Sequence, residues 1–261
     1  MIRKGTFDLT PAAPPCSSFS RALFSDEHFP NPMRDYDHPH GFPTLTAEDK
    51  RKVHDADILV AFSLKALRAA ATAHCLGWLE FPEDLGSCRC GTPASLWQLE
   101  DARSLSAVGY HRGALYQCEW AEVPYKKPTG ILTNIRGFVD APHFFQGWPT
   151  FSENIGKDSS PVGLPWRRYT GPLPRQCVHN GIHPPLLGRD KTGGFKTSKT
   201  AEYPPDLCRA FADIMVSTLA DHSPGQIASA RPVVGVWGAC LSISPWTCCS
   251  PRSTSSRRSS A

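Results

Sequence analysis

The sequence predicts an α/β fold, on three observations. A long segment, Glu48–His74, repeats apolar residues every three and four positions, which is the period of a helix. Short β-type runs flank it, Gly5–Thr10 before and Trp78–Phe81 after, and strand–helix–strand is the unit from which parallel sheets are built. Twenty glycines and 25 prolines among 261 residues exceed the ordinary share of about one in eight. That excess excludes a coiled coil and puts long proline-rich connections between the elements.

The elements follow in order. The strand Gly5–Thr10 is expected to stop at Pro11, Pro14 and Pro15, because proline has no N–H to give a ladder. Pro30, Pro32, Pro39 and Pro43 keep residues 26–45 in loop form. Thr46 caps the long helix, with Asp49 three residues on as an approximate capping box. Its apolar stripe is read as Val53, Ala56, Leu59, Phe62, Ala66, Leu67 and Ala70, and Gly77 closes it. The strand Trp78–Phe81 ends at Pro82, and Ser95–Gln98 starts a short helix. Leu115–Trp120 and Gly130–Asn134 read as strands, residues 140–200 mostly as loop, and Asp206–Leu219 as a final helix opened by Pro204 and Pro205. Residues 1–225 form one domain in this reading. Residues 226–261 are an apolar stretch followed by a Ser/Arg-rich tail, expected to be disordered.

No apolar run is long enough to span a bilayer, and Met1–Leu9 lacks the apolar core of a secretory signal. Ten cysteines without such a signal point to reduced thiols in an intracellular protein, not a secreted one. The net charge is +4, and three of those charges, Arg252, Arg257 and Arg258, belong to the tail. Charge alone therefore gives no nucleic-acid signal.

The most informative stretch is Ala13-Pro14-Pro15-Cys16-Ser17-Ser18-Phe19-Ser20. A strand runs into two prolines and then a thiol, at the strand end where open α/β sheets form their ligand crevice. The prolines fix the backbone, so the thiol is aimed at little entropic cost. Such a cysteine is either a nucleophile or a small buried hydrophobe.

This stretch resembles the Pro-Cys nucleophile loop of cytosine-C5 DNA methyltransferases, where an aliphatic strand leads to Pro-Pro-Cys-x-x-Phe-Ser. The later elements of that family are matched in part. Leu79-Glu80-Phe81-Pro82 keeps the glutamate of a strand ending in Glu-Asn, with Phe81 in place of the asparagine. Tyr116-Gln117-Cys118-Glu119-Trp120 keeps the first residue of Gln-x-Arg-x-Arg. Tyr203-Pro204-Pro205-Asp206 is similar to a turn into the family's last helix, and residues 36–205 as a whole resemble divergent methyltransferase-like domains of eukaryotic mobile elements. The resemblance implies a partial class I methyltransferase (Rossmann-like) sheet with long Pro-rich loops. It implies Cys16 as the nucleophile at C6 of cytosine and Glu80 as the acid that holds N3 and the 4-amino group. Pro15, Ser17, Arg21 and Gln117 would bind substrate, and Arg34 is a further candidate for a phosphate. The cofactor implied is S-adenosylmethionine and the partner DNA, with a nuclear location if the chain acts on DNA.

One family element is missing. A glycine-rich loop should precede the Pro-Cys loop, yet the fifteen residues before Cys16 hold only Gly5, and Gly193-Gly194 comes too late. The expectation is an N-terminally truncated domain, its cofactor site incomplete and its catalysis lost or retained. The alternative is a non-enzymatic nucleic-acid-binding module stabilised by zinc. Cys177, His179 and His183 are the metal candidates for that reading, with Cys118, Cys88 or Cys90 as a fourth ligand. Their spacing falls short of a finger pattern, so no metal is expected. Lys126-Lys127-Pro128 and Arg167-Arg168, the latter beside Trp166 and Tyr169, are basic turns that read as solvated loop or as phosphate contacts.

Overall fold

The structure, a computed structural model, describes residues 7–24, 31–154, 166–179, 182–184 and 202–222, and residues 186, 191, 196 and 200 singly. The chain divides into Met1–Pro224 and Gly225–Ala261, and the second unit, with the expected apolar stretch and Ser/Arg tail, lies outside the described residues.

In chain order the elements are β1 (Leu9–Ala12), α1 (Ala47–Thr72), β2 (Leu76–Pro82), α2 (Glu100–Arg103), β3 (His111–Tyr116), β4 (Pro128–Thr133), α3 (Arg136–Val139), β5 (Phe145–Gln146), β6 (Thr150–Asn154), β7 (Trp166–Gly171) and α4 (Pro205–His222). The class is α/β, and the sheet is mixed. Its order is β1-β2-β4-β3-β5, with β1 parallel to β2 and the pairs β2–β4, β3–β4 and β3–β5 antiparallel. The carboxyl ends of β1, β2 and β3 and the amino end of β4 therefore share one edge of the sheet. β6 and β7 form a separate antiparallel pair, joined to the loop after β2 where Ser87 N donates to Arg167 O at 2.9 Å.

Thr46 caps α1 as expected, its hydroxyl accepting from Asp49 N at 3.1 Å and donating to the Asp49 carboxylate at 2.9 Å. The apolar stripe needs correction beyond Ala56. Val60, Leu64 and Leu67 are buried, while Leu59 and Phe62 are exposed. Steps of three and of four from Ala56 both fit a helical period. Packing selects the row Val53, Val60, Leu67, two turns apart, that faces the sheet. Nor does Gly77 close the helix. His74 takes the left-handed turn at φ 55°, and Gly77 lies in β2, where a Cβ would strike the Tyr110 hydroxyl that donates to Leu67 O.

β2 is buried on both faces. Leu79 and Phe81 join Val60, Leu64, Leu67 and Trp97 beneath α1, whereas Leu76 and Trp78 join Leu207, Phe211 and Met215 beneath α4. Adjacent strand residues point to opposite faces, so Glu80 belongs to the α4 side. β1 begins later than expected and carries Pro11 within it; an edge strand tolerates the missing N–H. β3 ends at Tyr116, so Gln117 sits in the one-turn 3-10 helix Gln117–Glu119 beyond it. Among its described residues the 140–200 stretch, expected to be mostly loop, holds the short strands β5, β6 and β7. Among the described residues no helix is long and apolar enough to cross a membrane.

Candidate active site

The segment after β1 alternates between anchor and display. Pro14, Ser18 and Phe19 are buried, while Pro15, Cys16 and Ser17 are exposed. Cys16 immediately precedes the 3-10 turn Ser17–Phe19, and its carbonyl accepts from Phe19 N at 3.0 Å. Phe19 meets Phe81 edge-on with ring centroids 5.2 Å apart, and the Arg34 guanidinium lies over the Phe19 ring, 3.9 Å from its centroid. The loop is thus held to β2 by the residue three places after the thiol.

Glu80 is buried on β2 and paired across the sheet with Ile131 of β4. Burial pushes its carboxyl up, against the pull of the Lys127 cation and of a hydrogen bond from the Tyr203 hydroxyl. Lys127 stands just before β4, donates to Thr200 O at 2.8 Å and lies 5.5 Å from the Tyr203 ring centroid. Tyr203 comes from the turn into α4, and its own hydroxyl is pushed well up by burial and by Glu80.

Cys16 interacts with this group. The protein atoms around it, and then the Glu80 charge, push its thiol up to about 11, with Lys127 pulling the other way. The residue itself keeps solvent-exposed surface. Crowding by protein and the Glu80 charge decide how rarely the sulfur is ionised. The register explains why the Glu80 charge acts on the thiol. Ala12 of β1 is level with Leu79 of β2, so the loop leaving β1 starts beside the residue that precedes Glu80.

The other residues expected at the site are placed as follows. Pro15 and Ser17 flank Cys16 on the exposed part of the loop. Arg21 donates to Gly86 O at 2.6 Å and Ser87 O at 2.8 Å, clamping the loop after β2. Arg34 is buried, bonded to Asp57 at 2.7 Å and to the carbonyls of Pro39 and Val53. Gln117 is buried at the end of β3, where its amide donates to Thr129 Oγ1 at 3.2 Å. Arg167 lies between the rings of Tyr36 at 3.7 Å and Phe151 at 4.1 Å. Lys127 and Tyr203 are site residues whose role the sequence reading did not identify. The visible signals were a lysine held in extended backbone by Pro128, and an aromatic hydroxyl just before a proline-opened helix.

On the opposite face of β2 the Glu83 carboxylate forms a two-pronged pair with the Arg112 guanidinium and accepts from the Tyr169 hydroxyl at 2.8 Å. Arg112 also donates to Gly147 O and lies 4.6 Å from the Trp97 ring centroid. The pair is fully enclosed, with the Arg112 Nε left without a partner, and it braces the residue after β2 against β3 and β7.

S-adenosylmethionine needs a cradle of backbone at a strand-to-helix turn, which glycine makes possible. β1 leaves the sheet on Pro14 and Pro15, and β4 passes into α3 through Asn134 and Ile135. Among the described residues no strand-to-helix turn is glycine-rich, so these residues do not fit that cofactor. Gly5, Gly193 and Gly194 lie outside the described residues. A second group of side chains gathers beyond β3, where ligand atoms of Cys118, Cys177, His179 and His183 all lie within 4.8 Å of one another. Cys88 and Cys90 are elsewhere, in the tight turn closed by Cys88 N and Gly91 O at 2.7 Å.

No family model, curated protein or solved structure matches the chain.

Proposed function

We propose that the chain is a cytosine-C5 DNA methyltransferase-like domain that carries the base-activating half of that chemistry. The observation that carries this reading is the placement of Cys16, on an exposed loop leaving β1, and of the buried Glu80 carboxyl at the carboxyl ends of two neighbouring parallel strands, near enough for the Glu80 charge to act on the thiol. That edge is where open α/β sheets bind their ligands. The mixed sheet is, on this reading, the part of a class I methyltransferase sheet that bears the nucleophile and the base-holding acid.

The chemistry follows from the charges. Thiolate and carboxylate are both disfavoured, and each disfavours the other, so the pair holds at most one negative charge at neutral pH. The productive form is a Cys16 thiolate beside a protonated Glu80, with Lys127 compensating the single charge. The thiol loses its proton to water, and the sulfur forms a bond to C6 of a cytosine that has left the duplex at a cost of a few kcal/mol. The electron pair of the C5–C6 double bond moves into the ring toward C4 and N3, and the Glu80 proton passes to N3. C5, now nucleophilic, takes a proton from water. The hydroxide so formed takes the original C5 hydrogen, the N3 proton returns to Glu80, and expulsion of the sulfur as thiolate restores cytosine and acid. The net result is exchange of the C5 hydrogen with solvent, a reaction that needs no S-adenosylmethionine.

Incubation of the full chain in heavy water with single-stranded, cytosine-containing DNA tests the reading. Deuterium is expected at C5, and a denaturant-resistant adduct on DNA containing 5-azacytosine, both lost in Cys16→Ser. Absence of exchange and of adduct at both neutral and alkaline pH overturns it. Salt-sensitive DNA binding with no dependence on Cys16 would instead make the chain a nucleic-acid-binding module.

A further inference from the structure

We propose that Cys118, Cys177, His179 and His183 bind one zinc ion in a closed, structural site that fastens the segment after β7 to the end of β3. The inference stands apart from the reading of Cys16 and Glu80.

The donor set points to the metal. Two thiols and two imidazoles are the soft and borderline ligands that select zinc, and four protein ligands leave no position for water or substrate. Two thiolates neutralise the dication, so the occupied site carries no net charge into a partly buried place. Cys118 lies in the turn directly beyond β3, while Cys177, His179 and His183 follow β7 with three residues between the histidines, a spacing zinc sites use. The ligand atoms span at most 4.8 Å, against edges of about 3.3–3.8 Å in a zinc tetrahedron built from ordinary Zn–N and Zn–S bonds. Side-chain rotations of about 1 Å close that gap. Cys177 Sγ and His183 Nε2 are already 3.4 Å apart.

His183 supplies a second, independent observation. Its Nδ1 lies 3.2 Å from Pro124 O. A carbonyl only accepts, so Nδ1 carries a proton, and in the neutral imidazole the lone pair is then on Nε2. Nε2 is the atom facing Cys177 Sγ, and an imidazole whose far N–H is held by a carbonyl is how metal-binding histidines are oriented. The segment is also fastened just before Cys177 and between Cys177 and His179. Glu119 accepts from Val178 N at 2.8 Å, the Tyr116 hydroxyl donates to Pro174 O at 2.7 Å, and Lys126 donates to Arg175 O at 2.9 Å. The stretch that carries Cys177 is thus held in place by bonds that do not involve the ligand atoms.

Full-length protein expressed with zinc and purified under reducing conditions is expected to contain about one zinc per chain by elemental mass spectrometry. Cobalt(II) added to protein stripped by a chelator is expected to give the intense visible bands of a tetrahedral site and a near-ultraviolet thiolate charge-transfer band. Cys177→Ser and His183→Ala should lose the metal, while Cys208→Ser, a cysteine outside the group, should keep it. The cobalt spectrum of the unaltered chain decides the matter if the variants fail to fold. The proposal is overturned by less than about a tenth of an equivalent of zinc with no tetrahedral cobalt bands, or by a Cys118–Cys177 disulfide in the reduced preparation. Zinc retained in Cys177→Ser also overturns it.

Discussion

The reactivity of Cys16 provides a quantitative test of the cleft's electrostatics. An unperturbed thiol titrates near 9, whereas Cys16 is pushed to about 11. Below both values the thiolate population falls tenfold per pH unit, so at pH 8 Cys16 should be ionised about a hundredfold less than a free thiol. Alkylation by iodoacetamide follows the thiolate. Its rate at Cys16, read by peptide mass spectrometry, should climb about tenfold per pH unit from 7 to 9 with no plateau. Two substitutions should move the rate in opposite directions. Glu80→Gln removes the charge that raises the thiol, so alkylation at pH 8 should speed up. Lys127→Met removes the cation that lowers it, so alkylation should slow. A plateau below pH 9, or equal effects from the two variants, would refute the placement of thiol, carboxyl and ammonium in one electrostatic group.

Further expectations concern the framework. Leu64→Ala should cost about 2–5 kcal/mol in urea unfolding and Phe62→Ser less than about 0.5 kcal/mol, because only the former faces the sheet; the reverse order would restore the stripe read from the sequence. Arg112→Met should cost about 3–5 kcal/mol by leaving the Glu83 carboxylate buried without its cation. That loss should shrink as pH falls and Glu83, already pushed up by burial, takes a proton. Gly86→Ala should lower the unfolding midpoint, since φ is +71° and a Cβ there would press on the Arg167 carbonyl; an unchanged midpoint would show that the loop after β2 relaxes freely.

Local chemistry made much of this protein legible in its residues. Thr46 and Asp49 announce the start of α1, Ser95 and Gln98 form a capping box at their short helix, and the Pro-Pro-Cys run marks a loop that presents a thiol. Each of these rests on neighbours within four residues, where spacing alone decides which atoms meet. The strand pairing was not legible. The reversed β4 between β2 and β3 depends on which edge is free once β2 is covered by helices on both sides. The same holds for Lys127 and Tyr203 beside Glu80. They approach across 47 and 123 positions of chain, and no period connects such distances.

By itself, then, the sequence determined the cap of α1, the two long helices and the proline-guided loop that presents Cys16, because those follow from backbone sterics and short-range hydrogen bonding, while Glu80 was a candidate only through the resemblance. Tertiary structure alone decided which helical row is buried. It also decided that Arg34 and Arg21 brace the fold, that Lys127 and Tyr203 surround the acid, and that Cys118 joins Cys177, His179 and His183. The reason is that burial and charge act through space. A thiol's ionisation or a metal's ligand set depends on the few side chains brought within several ångströms of it, and only the packed sheet brings them there.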